Sequence, residues 1–238
     1  GLLSEWAEGD DVTEILEIKK WEPNIPSNLA GQVKGNFPSF LRKTDEERLQ
    51  NAKSVLDEIR DIPIYIGVKM DGTSATFYRH EGVFGACSRN LELREEGGDD
   101  YWAAAKAAGL PDKLPEGYAI SAELCGPSIQ GNKMGCVAKT LFVFNVWDIK
   151  EQRYLDASDM IQFCVYHKLF TVPLIPNPVP RPETVEQWLA FADTVKYPNG
   201  AQAEGIVVRA VKETYSPALR GRLSFKCISN AFLLAHKE

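Results

Sequence analysis

Histidine is scarce in this sequence of 238 residues. His80, His167 and His236 stand far apart, so neither a histidine-built metal centre nor a catalytic triad is indicated. The five cysteines, Cys87, Cys125, Cys136, Cys164 and Cys227, are odd in number and never form a CxxC pair. A zinc site or a disulfide framework is therefore not expected, whereas a reducing intracellular compartment, cytoplasm or nucleus, is. No apolar run approaches the ~20 residues that a membrane-spanning helix needs, and no basic segment followed by an apolar one opens the chain, so no membrane partner is expected. Positive charge is not in excess either: 27 Lys and Arg against 33 Asp and Glu leave a net charge of −6. Coating nucleic acid by bulk electrostatics is thereby excluded, and any such contact has to be a local patch. Internal repeats and low-complexity segments are also missing.

What remains is the composition of an ordinary globular protein, 44% hydrophobic and 25% charged, long enough for one large domain or two small ones. Residues 1–14 read as a flexible lead-in, and an opening Gly1 in place of methionine points to a start further upstream. Residues 15–21 read as a strand, after which prolines at 23, 26 and 38 keep the chain extended or turning. Thr44 and Glu47 form an S/T-x-x-E capping box ahead of an apolar stripe, Leu49, Ala52, Val55, Leu56 and Ile59, which predicts a helix from Thr44. Alternation and β-branched content predict strands over 62–68, 75–79, 83–88, 118–124, 141–149, 205–210 and 223–228, with a hairpin at His80-Glu81-Gly82. Helices are predicted from Asp99 or Asp100 to a stop at Gly109 and Pro111, over 158–167 and over 183–195. The proline-rich segment 173–182 reads as a surface connection. Strands in hairpin order, without strict βαβ alternation, give an α+β class: antiparallel β-sheets with peripheral helices.

One stretch, Lys69-Met70-Asp71-Gly72-Thr73-Ser74, organises the functional reading. Ile62, Ile64, Ile66 and Val68 fall on every second residue, so one face of their strand is buried and Lys69 points from the other. A strand-end lysine, followed by a carboxylate and by a glycine able to turn the chain with φ > 0, suits a nucleophile held beside a phosphate. The same six residues also fit a plain hairpin with Asp-Gly in its turn and a solvated lysine. Four further stretches set a charge among apolar neighbours: Arg89 after Cys87-Ser88, Glu123 in a strand, Glu204 before Gly205, and Lys226 in the final strand. Each taken singly is also compatible with a wet strand end. Jointly they supply a nucleophilic amine, cations to neutralise phosphate and three carboxylates able to hold Mg²⁺, which are the parts needed to transfer a nucleotidyl group.

In this order the stretches resemble the motifs of the covalent nucleotidyltransferases, which comprise the ATP-dependent RNA and DNA ligases and the mRNA capping enzymes. Lys69-Met70-Asp71-Gly72 is similar to their KxDG motif I, Ser88-Arg89-Asn90 to motif Ia, and Glu123 sits in a motif III. Residues 142–148, centred on Phe144, resemble the aromatic motif IIIa, Glu204-Gly205-Ile206-Val207-Val208-Arg209 motif IV, and Ser224-Phe225-Lys226 motif V. Lys43-Thr44-Asp45-Glu46, the segment from Gly126 to Lys133 and the ending Ser224 to Asn230 look most like RNA ligases, in the group typified by the Deinococcus and Naegleria enzymes. Two departures stand out. Many relatives have glutamate before the motif I lysine, where this chain has Val68, and a KxK motif V, where this chain has Ile228 at the second basic position.

The resemblance implies the nucleotidyltransferase fold over residues 15–238 and a monomeric, ATP-dependent RNA ligase that uses Mg²⁺ or Mn²⁺. Its substrate would be RNA with 5′-phosphate and 3′-OH ends, in a nicked duplex undergoing repair. It also implies an OB-type module on the N-terminal side that these residues do not include. A DNA ligase, a guanylyltransferase or an RNA-end-binding module without catalysis are the alternatives left open. Lys69 becomes the adenylylated nucleophile, and Asp71, Glu123 and Glu204 the metal ligands. Val68, Gly72, Arg89, Glu123, Phe144 and Lys226 contact the nucleotide, with Phe144 stacked on adenine, and Arg222 stands in for the missing second lysine. An unperturbed lysine, with a pKa of about 10.4, is less than ~0.1% neutral at pH 7, so such a site has to favour the neutral amine by up to ~4–5 kcal/mol.

Overall fold

The computed structural model describes residues 16–17, 31–97 and 100–236. The 1–14 lead-in and most of the 15–21 strand expectation lie outside these, and Leu16 and Glu17 form a turn. Strands β1 (Val33–Asn36) and β2 (Glu47–Arg48) come first, followed by the one-turn helix α1 (Val55–Glu58) and β3 (Ile64–Lys69). β4 (Thr73–His80), β5 (Val83–Cys87) and β6 (Leu91–Leu93) lead into helices α2 (Asp100–Ala108) and α3 (Leu110–Lys113). Next come β7 (Tyr118–Cys125), β8 (Thr140–Asp148), β9 (Arg153–Tyr154), α4 (Ala157–Tyr166), β10 (Phe170–Thr171), β11 (Leu174–Ile175) and α5 (Val185–Thr194). β12 (Gly205–Ala210), β13 (Tyr215–Ser216), β14 (Gly221–Arg222), β15 (Ser224–Ile228) and α6 (Asn230–His236) end the described chain.

Two sheets carry the fold, and among the described strands all pairs are antiparallel except β8 with β10 and β2 with β15. The larger sheet runs β1-β6-β5-β4-β7-β8-β10, with β9 beside β8, and the smaller runs β11-β3-β12-β15-β2. This is the expected α+β class. Each sheet has its own core. Phe77, Ile120 and Val146 of the larger sheet pack with Trp102, Leu110 and Met160 from α2, α3 and α4. Ile66, Val208 and Phe225 of the smaller pack with Val185, Trp188 and Ala192, the inward face of α5. α5 starts where it does because Thr184 Oγ1 accepts the Gln187 N–H while the Gln187 side chain accepts the Thr184 N–H, a closed capping box. The fully buried Trp188 then meets the Phe225 ring edge-on at 6.2 Å. Burial of one such side chain stabilises the fold by about 1.5–3 kcal/mol.

Several local expectations need correction. The Thr44 capping box does not form: Glu47 and Arg48 pair with β15, and the Glu47 carboxylate accepts from Asn51 and the Arg48 N–H instead of reaching back to Thr44. The apolar stripe still marks the buried residues, since Leu49, Val55 and Ile59 are sealed in, but a 3₁₀ turn over Leu49–Asn51 and the short α1 replace a continuous helix. Gly109, at φ +69°, ends α2 as expected, whereas Pro111 opens α3 because proline fits the first helical turn. The proline-rich connection contributes an edge strand, β11, to β3. The final strand is followed by an unexpected helix, α6, which Ser229 caps by accepting the Phe232 N–H at 3.1 Å.

Candidate active site

β3 and β4 are consecutive in sequence but belong to different sheets, so Met70-Asp71-Gly72 is a crossing between them and the plain-hairpin alternative does not hold. Gly72 is required by space, not by a left-handed turn. A Cβ there would lie 2.4 Å from the Leu124 carbonyl oxygen and 2.8 Å from Cys125 Sγ, and its φ is outside the positive range. That close approach lets the Gly72 N–H donate to Glu123 Oε1 at 3.2 Å, tying the crossing to β7. Between the sheets lies a cavity of about 410 Å³. Lys69, Val207, Arg209 and Lys226 line it from the smaller sheet, Ser74, Thr76, Glu123 and Phe144 from the larger, and Lys43 to Glu46 and Arg89 from the loops.

Lys69 ends β3 opposite Gly205, the first residue of β12, so the side chain of the preceding Glu204 reaches it directly: Nζ and Oε2 are 2.6 Å apart. Gly205 permits that register, because a Cβ would come within 2.1 Å of the Cys227 carbonyl oxygen. The amine retains 25% of its side-chain exposure and Glu204 18%, so the pair faces the cavity without being sealed from it. Asp71 is held by Lys133 at 2.7 Å, and the Lys133 ammonium also lies 4.9 Å from the centre of the Phe232 ring. The Glu123 carboxyl is pushed up to about 7, first by burial, against the pull of Lys69, and further by the Glu204 and Asp71 charges.

Two further ion pairs, Arg209 with Glu46 and Arg89 with Asp45, border the cavity. Arg209, 2% exposed, donates to Glu46 at 2.6 Å and lies 5.6 Å from the Phe144 ring centre. Burial would raise the Glu46 carboxyl, but Arg209, Arg222 and a backbone hydrogen bond together hold Glu46 below its usual range; burial acts downward on Arg209, and Glu46, Tyr65 and Glu213 together more than restore it. Arg89 reaches the cavity as an exposed residue paired with Asp45 at 2.7 Å. Lys226 lies opposite Val207 in the ladder and faces the cavity, while Ile228 is buried at 4% exposure. Val68 is a core residue at 4% exposure that borders the cavity, its N–H donating to the Pro173 carbonyl at 2.8 Å.

Two expectations fail geometrically. Arg222 does not line the cavity: its guanidinium is bound by Asn145 and Glu213 and stacks on Tyr154 at 4.2 Å, so it is not available as a second phosphate cation there. Asp71, Glu123 and Glu204 do not converge as a three-carboxylate metal cage, and among the described residues no three metal-ligating side chains do. Each carboxylate has its own partner, Lys133, the Gly72 N–H and Lys69 respectively. Sequence reasoning also missed Arg209 and Glu46 as a pair, and Tyr197, whose hydroxyl donates to the Lys69 carbonyl at 3.0 Å and accepts the Glu204 N–H at 3.1 Å. Only the motif IV and Lys43 to Glu46 resemblances hinted at the first, and nothing local pointed to the second.

A two-sheet fold with a lysine at the crossing, facing carboxylates and cations across a cleft, defines the covalent nucleotidyltransferase class. A family model described as RNA ligase matches residues 62–228. The chain is 35% identical to Naegleria gruberi RNA ligase solved with pyrophosphate, at a TM-score of 0.77 over 99% of this chain and 70% of that one. Variants of the same Naegleria enzyme solved with ATP and Mn, and with AMP and Mn, give 35% identity and TM-scores of 0.78, over 100% and 99% of this chain and 70% of theirs. Comparison with curated proteins gives no match. The chain belongs to the RNA ligase family, and its substrates are RNA. Among the described residues no helix is long and apolar enough to cross a membrane.

Proposed function

We propose that this chain joins RNA ends in an ATP-dependent reaction that passes through a covalent lysyl-AMP on Lys69. The observation that carries the reading is the single cavity into which the crossing lysine, Glu204, Glu123, Arg89, Phe144 and Lys226 all face from separate elements. In the first step Lys69 Nζ attacks the α-phosphorus of ATP: a P–N bond forms, the bond to the pyrophosphate oxygen breaks, and the amine gives up a proton. An RNA 5′-phosphate oxygen then attacks the same phosphorus, the P–N bond breaks and the leaving nitrogen takes up a proton, restoring the lysine. Finally an RNA 3′-OH attacks the 5′-phosphorus, its proton passes to solvent and AMP leaves with the bonding pair.

The residues suit these roles by position. Attack needs the lone pair of Lys69, which carries a proton in the 2.6 Å ion pair with Glu204, so that proton must leave and Glu204 must pair with another cation as the nucleotide enters. Magnesium or manganese, when bound, neutralises phosphate charge and supplies that cation. The donor set fits: Glu204, with Glu123 and Asp71 beside it, offers hard oxygen ligands, and the like-charge crowding recorded at Glu123 is what a divalent ion relieves. Mg²⁺ characteristically takes one or two carboxylates together with substrate phosphates, so no preformed three-carboxylate cage is required. Lys226 is placed for the α-phosphate, Arg89 and Glu123 for the ribose or phosphate, and Phe144 for stacking against the base.

The test is intact mass after incubation with ATP and Mg²⁺ or Mn²⁺, followed by peptide mapping. One AMP on Lys69, discharged on adding a nicked duplex with a 5′-phosphate and an RNA 3′-OH, is expected. Labelling from GTP in place of ATP, AMP on another lysine, or no covalent nucleotide overturns the reading.

A further inference from the structure

The ladder between β3 and β12 ends at the Lys69 and Gly205 pair, and the next residues, Met70 and Glu204, are not paired in it. At that point the Glu204 N–H and the Lys69 C=O need another partner, since a buried backbone group left unpaired is destabilising. One hydroxyl serves both. Tyr197, 2% exposed, donates to the Lys69 carbonyl at 3.0 Å and accepts from the Glu204 N–H at 3.1 Å, so a phenol replaces the missing rung between the nucleophile's backbone and that of its carboxylate partner. We propose that Tyr197 is a positioning residue for AMP transfer, holding Lys69 and Glu204 in the relative placement that lets Glu204 release the amine.

The surroundings of Tyr197 fix that hydroxyl. The Ala203 N–H donates to the Val195 carbonyl at 3.1 Å, Lys196 bridges to Gln202, and the Tyr197 N–H donates to the Ala201 carbonyl at 2.8 Å, a closed hairpin that returns the chain straight into Glu204. From its tip, Asn199 Oδ1 accepts the Ala201 N–H at 3.1 Å and Asn199 Nδ2 donates to the Lys133 carbonyl at 3.0 Å. Because Lys133 holds Asp71, one short hairpin contacts the backbones of Lys69 and Glu204 directly and reaches Asp71 through Lys133. Misplacing a reacting group by about 1 Å is enough to slow a reaction by up to ~10²-fold, so a rung at this point acts on rate while leaving the nucleotide's own contacts in place.

The inference rests on the proposed lysyl-AMP chemistry and is tested with Tyr197→Phe, which keeps the buried ring and removes the oxygen. The expected result is a rate of AMP attachment at saturating ATP about tenfold below that of the unaltered chain, with the KM for ATP within about twofold. A Glu204→Gln change made in the Tyr197→Phe background adds less than it does alone, because both act through one placement. An unaltered rate in Tyr197→Phe, or full additivity, overturns the inference. If Tyr197→Phe does not fold, amide exchange in the unaltered chain decides: protection at Glu204 equal to that of the β12 amides supports the rung, and free exchange at Glu204 overturns it. Absence of any AMP on the unaltered chain is a failure of the chemistry itself and is distinguishable from both.

Discussion

Two ion pairs bracket β12, and they are built for opposite ends. Glu204, just before the strand, pairs with Lys69 while both side chains keep about a fifth to a quarter of their exposure. Arg209, five residues on and about 16 Å away at ~3.3 Å per residue, pairs with Glu46 at 2% and 14% exposure. Both members of the Arg209 pair border the cavity, but the guanidinium itself is buried and cannot separate from Glu46 without being left unpaired. The Lys69 pair faces the cavity, where an incoming cation and phosphates can replace each partner. The difference teaches that burial of the cation, not distance, separates an ion pair that holds the cleft together from one that takes part in chemistry: both are 2.6 Å contacts with similarly exposed carboxylates, but Lys69 is 25% exposed and Arg209 2%.

The largest effect is expected from Lys69→Met. With no amine there is no covalent nucleotide, so AMP incorporation falls below detection, a loss of at least ~10³-fold. The melting temperature moves little, because a cavity-facing strand end contributes little packing. Residual labelling at the normal rate would show that another lysine is the nucleophile. Glu204→Gln is expected next, slowing AMP attachment by roughly 10²-fold through loss of the charge that orients the amine and holds the cation. Raising the Mn²⁺ concentration should recover part of that loss, and its failure to do so separates a purely positional role from a metal role.

Arg209→Met exchanges the phenotypes. Leaving Glu46 buried and unpaired costs about 3–5 kcal/mol of stability, read as a shift in the denaturant midpoint. Joining it with Glu46→Leu should restore most of that loss, as removal of both charges leaves nothing unpaired. Glu46 also gives this pair a pH signature. Its carboxyl is held below the usual value, so its contribution is present above the unfolded value of 4.5 and is lost as pH falls through the lowered one. An Arg209→Met chain as stable as the parent would mean that the Arg209 pair is neutral to the fold.

How much of this was legible in the sequence follows the range of the interactions. Alternation of Ile62, Ile64, Ile66 and Val68 fixes which way Lys69 points, because side-chain period in a strand is a local property. The motif resemblances named Glu123, Phe144, Glu204 and Lys226, and all of them face the one cavity. The crossing between sheets was not legible, since Asp-Gly is equally good hairpin chemistry and only the packing of Gly72 against Leu124 and Cys125 decides. Arg222 was chosen as a cation of the right type near motif V, but Glu213, Asn145 and Tyr154 claim it. Tyr197 contacts Lys69 from 128 residues away with a single oxygen, an arrangement that leaves no periodic trace.

The smallest expected effect concerns Glu123, which belongs to neither pair and senses both the crossing and Glu204. Its carboxyl is raised from 4.5 to about 7, chiefly by burial, so the folded chain holds its proton more tightly than the unfolded chain does. The sign follows: the contribution of Glu123 is fully present below about pH 4.5 and is lost as pH rises through about 7, where the charge must be accommodated beside Glu204 and Asp71. Glu123→Gln keeps an oxygen for the Gly72 N–H and removes the charge. At pH 8 without divalent ions it should therefore be more stable than the parent by about 2–3 kcal/mol, with the gap closing toward pH 4.5. Adding Mg²⁺ or Mn²⁺ with ATP should stabilise the parent more than the variant, because Glu123 shares in holding the cation. Urea midpoints measured from pH 4.5 to 8 provide the check, and a gap independent of pH would mean that Glu123 is already charged and fully compensated in the folded state.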